Sequence, residues 1–360
     1  MGIIVGMALP DPKSLGIRPE ILNLIGEIDE FKGRWSATQA LAPDRLAALR
    51  QVATIESVGS STRIEGVKLT NSEIENLLRG VKAYSFRSRD EQEVAGYAEV
   101  MEIIFSTFRE IPISENYIKQ LHGTLLKYSV KDERHRGEYK KFSNHVEAFG
   151  PDGKSQGIIF QTTSPFDTPN AMKELIEWTN SQFELKSLHS LLVVAIFVVV
   201  FLQIHPFQDG NGRLSRALTT LLLLRQGYAY VPFSSLERVI EESKDAYYLA
   251  LRRAQAELEK KKSSPLNGVN DWILYFLRAM QKQKMALETK LQAELMAKQL
   301  PPLSLQIIEL IRSRGLTTIA EAVGATGANR NTLKKHLSRL VTDGVIKAEG
   351  VGRGVRYRLS

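Results

Sequence analysis

Fourteen consecutive residues, Leu191–Ile204, contain one polar side chain, Gln203, and no other feature of the chain restricts its fold so strongly. A helix that is apolar on every face must be covered on every face. A membrane span needs about 20 such residues, and this run is bounded by Lys186 and His189 before it and His205 after it. It predicts a central buried helix, ended by Pro206, and no membrane partner. The length of 360 residues allows two or three domains. With 43% hydrophobic and 24% charged residues the chain is too apolar to be disordered. The absence of cysteine excludes disulfides, thiolate zinc sites and cysteine nucleophiles. It fits a reducing compartment, and a cytoplasmic location is expected. Met1–Leu9 is apolar but lacks the basic start of a signal peptide.

Hydrophobic periodicity predicts a mainly α protein. Helices are expected over 18–58, 71–78, 90–108, 114–128, 170–180, 185–204, 212–227, 237–259 and 270–300. Thr70 with Glu73 reads as a capping box, and Ser114 as an N-cap. One further helical turn is expected over Ser60–Gly66, with a break at Gly66. The stretch 131–169 is rich in glycine and proline. Its apolar run Gly157–Thr162 and the Pro151-Asp152-Gly153 turn predict a β-hairpin. The last residues, 303–360, read as three helices and two short strands, the pattern of a winged helix-turn-helix domain. From Leu303 onward there are ten basic and four acidic residues, so this segment holds +6 of the chain's net +8. The expected organisation is an N-terminal helical region (1–110), a core (111–260), a linker with a long helix (261–302) and the C-terminal domain (303–360).

The chemistry is concentrated in His205-Pro206-Phe207-Gln208-Asp209-Gly210-Asn211-Gly212-Arg213-Leu214-Ser215-Arg216. Gly210 and Gly212 bracket Asn211, so the backbone can turn tightly and present its N–H groups at the start of a helix. That is an anion site. Arg213 and Arg216 lie on one face of the first turn, where two guanidiniums can read phosphate oxygens. A carboxylate among phosphates, Asp209, calls for an intervening cation, and Mg²⁺ takes one or two carboxylates plus phosphates. His205 is a base able to accept a proton from a hydroxyl at neutral pH. Neither a P-loop nor a G-x-G-x-x-G sequence is present.

This segment resembles the Fic motif, H-x-F-x-[D/E]-G-N-G-R-x-x-R, at every defined position. The resemblance implies a Fic-type helical bundle with a β-hairpin flap, and an enzyme that moves AMP from ATP to a protein hydroxyl. It implies that His205 is the general base, Phe207 anchors the loop and Asp209 holds Mg²⁺. Gly210, Asn211 and Gly212 would form the anion hole, with Arg213 and Arg216 on the outer phosphates. In the Doc-like kinase branch a lysine replaces the second glycine; Gly212 is unaltered here.

Three further stretches extend the resemblance over about Gly59–Glu259. Ser61-Thr62-Arg63-Ile64-Glu65-Gly66 is similar to the family's inhibitory motif, which implies that Glu65 pairs with Arg216 and excludes the γ-phosphate. Ser61 and Glu65, four apart, share a helix face. The same glutamate can support removal of AMP in some members. Arg136–Tyr139, Asn144-His145-Val146 and the hairpin resemble the flap that pins a target segment. Tyr247 and Tyr248, after Lys244, resemble a patch beside the adenine pocket.

In the C-terminal segment, Asn329, Arg330, Lys334, Lys335 and Arg339 would face DNA from the third helix, and Arg353, Arg356 and Arg358 from the wing. The partners expected are a hydroxyl-bearing target protein, which can be the chain itself, DNA through the winged helix, and a second copy in a homodimer. The alternatives are a Fic-like transferase with another nucleotide donor or with de-adenylylating activity, and a DNA-binding regulator that senses nucleotide.

Overall fold

The computed structural model describes residues 9–10, 15–37, 43–80, 86, 88–144, 146–149, 155–260, 266–298, 301–350 and 352–359. The chain divides into two compact units, Met1–Met285 and Ala286–Ser360.

The first unit contains α1 (Pro19–Ala37), α2 (Pro43–Ile64), α3 (Asn71–Gly80), α4 (Arg89–Thr107) and α5 (Glu115–Leu125). A hairpin of β1 (Val146–Phe149) and β2 (Ser155–Phe160) follows. Then come α6 (Thr168–Leu185), α7 (Ser190–Ile204), α8 (Asn211–Arg225), α9 (Leu236–Glu242), α10 (Lys244–Lys260) and the part of α11 (Asn267–Lys298) up to Met285. The apolar run is α7, and every residue from Leu191 to Ile204 is buried. It packs against α6, α8 and α10, and Trp272 on α11 donates its indole N–H to the carbonyl of Ala195 at 2.7 Å. The helix α2 packs on α4 and α9, which brings its C-terminal end toward the start of α8. Gly96 permits the close approach of α4 to α5, since a Cβ there would lie 2.0 Å from the carbonyl oxygen of Leu125.

One break lies later than the expected 181–184, and one helix that periodicity reads as continuous is interrupted. Between α6 and α7, Lys186 caps the first helix in a left-handed conformation, and the His189 ring accepts from the Leu191 N–H at the start of the second. The stretch 237–259 divides at Ser243, which caps α9. The helix α2 runs unbroken through Ser57–Ile64 and stops before Gly66, whose φ of +106° suits glycine. In the hairpin Val146 pairs with Phe160 and Glu147 with Ile158, antiparallel. The Pro151-Asp152-Gly153 turn, His145, linker residues 261–265 and the start of the chain fall outside the described residues.

The second unit holds α12 (Pro302–Arg314), β3 (Thr317–Thr318), α13 (Ile319–Thr326), α14 (Arg330–Thr342), β4 (Ile346–Glu349) and β5 (Arg356–Leu359). Thr318 and Glu321 form a capping box on α13, and Asn329 caps α14. The strands form one antiparallel sheet in the order β3-β5-β4. The two-residue β3 is an addition to the helices and strands that periodicity predicts, because its pairing depends on β5 across the domain. Ile307, Ile311, Leu333, Leu337, Leu340 and Ile346 form the core.

Candidate active site

The turn between α7 and α8 is held by its own side chains. His205 ends α7 with φ 52° and ψ 60°, and its N–H donates to the Phe201 carbonyl at 2.9 Å. Asn211 is buried and bridges the turn: its Oδ1 accepts from the Phe207 N–H at 2.9 Å, and its Nδ2 donates to the Phe207 carbonyl at 2.7 Å. Phe207 is fully buried and stacks on His122 with ring centroids 3.8 Å apart. Gly210, at φ +80°, precedes α8, and no side chain caps that helix. The first backbone donors of α8 therefore face the turn as an anion site.

Around this turn lies a cavity of about 570 Å³, within the size range of nucleotide-sized ligands. Of the residues singled out from the sequence, it brings together Glu65, Asn144, His205, Asp209, Gly210, Asn211, Gly212, Arg213, Arg216, Lys244, Tyr247 and Tyr248. Ser61 and Gly66 are not on its wall. Ser61 is buried behind Arg216, and Gly66 terminates α2.

Both arginines are buried and charged. Arg216 donates through Nε to Ser61 Oγ at 2.8 Å, and through Nη2 to the Ser61 carbonyl at 2.9 Å and to Glu65 Oε1 at 2.7 Å. Burial opposes the charge on Arg216, but Glu65 outweighs it and raises the guanidinium above its ordinary value. Burial also acts to raise the Glu65 carboxyl, yet Arg216, with Arg213 behind it, holds the group below the usual carboxylate range. Gly212 makes this pair possible. A Cβ at that position would lie 2.2 Å from Glu65 Oε1.

Arg213 takes a different set of partners. Its Nη1 lies 2.9 Å from Glu93 Oε2, and its Nη2 lies 3.4 Å from Asp209 Oδ1. Its Nε is buried without a hydrogen-bond partner among the described residues. Asp209 accepts the Gly210 N–H at 2.6 Å and also meets Arg89 at 3.2 Å. Burial acts to raise Asp209, and Arg213, the Gly210 N–H and Arg89 bring it below its ordinary value. Among the described residues no three His, Asp or Glu side chains gather into a metal cluster. A lone ionised carboxylate beside an anion cradle fits a hard cation whose shell is completed by phosphates and water.

Burial, with Lys140 nearby, lowers His205 to about 4, so the ring is neutral at physiological pH. A neutral ring is what a proton acceptor requires.

Several residues order the site through contacts that the sequence does not announce. His122 on α5 is fully buried; its Nδ1 accepts from the Gly137 N–H at 2.9 Å, so its Nε2 carries the proton and donates to the Asp209 carbonyl at 3.0 Å. Arg63, inside the Ser61–Gly66 stretch, forks onto Glu241 of α9 at 2.7 and 3.0 Å. Lys244 donates to the Ile64 carbonyl at 2.7 Å. Only a buried-histidine pattern on an amphipathic helix could have drawn attention to His122. The other contacts join residues far apart in the chain.

The Fic/DOC family profile matches residues 112–223. Protein adenylyltransferase Fic of Drosophila willistoni is 29% identical over 235 residues, covering 63% of this chain and 44% of that protein. The protein of the same name from Drosophila grimshawi is 30% identical over 197 residues, 53% of this chain and 38% of its own length. The chain thus spans less than half the length of the curated relatives it matches. A solved Fic family protein from Desulfovibrio desulfuricans G20 superposes with a TM-score of 0.60 at 24% identity, over 96% of this chain and 98% of that one. Fic-1 from C. elegans superposes with a TM-score of 0.55 at 20% identity, over 75% and 72% of the two chains. Residues 112–223 of this chain thus match the Fic/DOC family, and the chain is similar in sequence to adenylyltransferases of the Fic type and in fold to solved Fic proteins.

Proposed function

We propose that the chain is a protein adenylyltransferase that transfers AMP from ATP to a hydroxyl side chain of a target protein. The observation that carries this reading is the convergence on one cavity of a neutral histidine, an uncapped helix N-terminus and two buried arginines. The relatives named protein adenylyltransferase support the same chemistry.

The target oxygen attacks the α-phosphorus in line with the bond to the β-phosphate. His205 accepts the hydroxyl proton as the oxygen–phosphorus bond forms, the α–β bridging bond breaks, and pyrophosphate leaves. Backbone N–H groups of Asn211 and Gly212 stabilise charge on the phosphates, and Arg213 and Arg216 receive the outer ones. Tyr248, on the cavity wall, would contact the adenine. Asp209 would hold Mg²⁺, which supplies charge neutralisation at the phosphates when bound.

Glu65 acts in this scheme as a brake. Its carboxylate occupies the cation that a γ-phosphate needs, so ATP must displace it to bind productively. Ser61 and Gly66 position that carboxylate, one by fixing Arg216 and the other by ending α2. De-adenylylation through the same glutamate is the second activity compatible with this placement.

The test is transfer of label from ATP labelled at the α-phosphate, with Mg²⁺ and a lysate or the protein itself as acceptor. Glu65→Gly is expected to raise incorporation, by about 10–100-fold for the loss of a charge-assisted hydrogen bond that competes with substrate. Adding His205→Ala is expected to remove about 10²–10⁴-fold. ATP binding with no incorporation in any variant would overturn the reading.

The second unit favours an additional nucleic-acid role. Arg330, Lys334 and Lys335 are exposed on α14, Arg356 and Arg358 are exposed on β5, and the unit carries most of the chain's net charge. We assign it as a winged helix that binds DNA, to be checked by salt-dependent gel shifts with and without ATP.

A further inference from the structure

Ahead of the hairpin lies a buried cation that the proposed chemistry does not use. Lys140 is 3% exposed. Its ammonium donates to three neutral oxygens: Asn144 Oδ1 at 2.9 Å, Thr162 Oγ1 at 2.8 Å and the Ile204 carbonyl at 3.0 Å. An ammonium buried without a carboxylate partner is costly, and burial draws it down to about 8.

What these contacts hold is the catalytic turn. The Lys140 N–H donates to the Pro206 carbonyl at 2.8 Å. Asn144 Nδ2 donates to the Phe207 carbonyl at 2.6 Å and to the His205 carbonyl at 3.3 Å. Thr162 Oγ1 donates in turn to Asn144 Oδ1 at 3.0 Å. Four consecutive carbonyls, from Ile204 to Phe207, thus all receive donors from Lys140 and Asn144. Within that stretch sits His205, in a left-handed conformation that among the described non-glycine residues only Lys186 shares. Such a conformation persists where its surroundings over-determine it. Asn144 and Thr162 flank the hairpin of β1 and β2 on its two sides.

We propose that Lys140, Asn144 and Thr162 are positioning residues: they fix the backbone of His205 and couple both feet of the hairpin to it. The inference rests on His205 being the base of the proposed transfer. Three charged groups act on that ring, Lys140 from the hairpin side, Glu65 from just past the end of α2 and Asp209 from the turn. Lys140 is the cation among them, so its removal raises the proton affinity of His205.

The experiment uses the full chain carrying Glu65→Gly, with Lys140→Met, Lys140→Arg and Thr162→Val added singly, each checked for a cooperative thermal melt. Lys140→Met is expected to lower kcat about 100-fold, as misplacement of a reacting group does, with the KM for ATP held. The acid limb of its kcat–pH profile moves to higher pH. Lys140→Arg returns the limb and part of the rate, and Thr162→Val gives a smaller loss of kcat. Hydrogen exchange over 203–207 and over the hairpin rises together in Lys140→Met and Thr162→Val. A kcat for Lys140→Met close to that of its parent, or a lower rate with the limb unmoved, overturns the proposal. If the Glu65→Gly parent transfers nothing, the proposed function fails and exchange alone decides. Joint loosening of the two segments then supports the coupling, and loosening confined to one refutes it.

Discussion

The helices α7 and α8 flank the turn that holds His205, have 15 residues each and are almost equally buried, yet they achieve that burial by opposite means. Between Leu191 and Ile204, α7 meets its surroundings with apolar side chains on every face. The other helix buries Asn211, Arg213, Ser215, Arg216, Thr219 and Thr220. Apolar burial needs only close packing. Polar burial needs named partners, and α8 takes them from elsewhere: Ser61 from α2, Glu65 from just past its end, Glu93 from α4 and Asp209 from the turn. Ser215 and Thr219 are satisfied within the helix itself. Stability is therefore concentrated along α7, and exchangeable contacts along α8. A ligand can replace a carboxylate on an arginine, whereas nothing in solution replaces a packed phenylalanine.

The contrast can be broken from either side. The largest effect is expected on α7. Phe197 is fully buried and stacks on Phe201 at 5.9 Å. Phe197→Ala should cost about 3–5 kcal/mol in denaturant unfolding, with the ATP affinity of the folded protein unchanged by calorimetry. A change in affinity equal to that of a site variant would show that α7 is not merely a support. A smaller loss is expected from Ser61→Ala, which removes the acceptor of Arg216 Nε and should cost about 1.5–3 kcal/mol. Unlike the α7 variant, it should weaken ATP binding measured by the same calorimetry. The smallest effect concerns pH. Burial lowers both His122 and His205 to about 4, below the ordinary histidine value of about 6.5. The unfolded chain binds more protons across that interval, so stability falls as pH drops through it. Glu65 and Asp209, held below their ordinary values, add to the loss at lower pH. Thermal melts should show the midpoint falling below pH 6.5, and His122→Gln should flatten the slope. A slope unaffected by that variant would move the acid sensitivity away from the turn.

The same contrast explains what could be read from sequence. The apolar run was legible because an uninterrupted pattern has one physical solution. The turn was legible because twelve contiguous residues carry its glycines, acid, base and arginines. The position of the break at Lys186–His189 and the existence of the one at Ser243 were not, because neither contains glycine or proline and both depend on capping that periodicity does not register. His122, Lys140 and Glu93 were illegible for a different reason. Each is an ordinary residue on its own element, and its partner is supplied by a segment remote in the chain. A lysine in a loop reads as solvated, and nothing near Lys140 in sequence marks it as buried.

Gly212 has a consequence for how this site can change over generations. The seat of the Glu65 carboxylate exists because position 212 has no side chain. The two positions are thus bound in their order of substitution. A lineage that loses Glu65 first frees position 212 to enlarge. A lineage that enlarges position 212 first loses the seat of the carboxylate in a single step, whether or not the glutamate is retained, and the codon for Glu65 then drifts with nothing left to hold it.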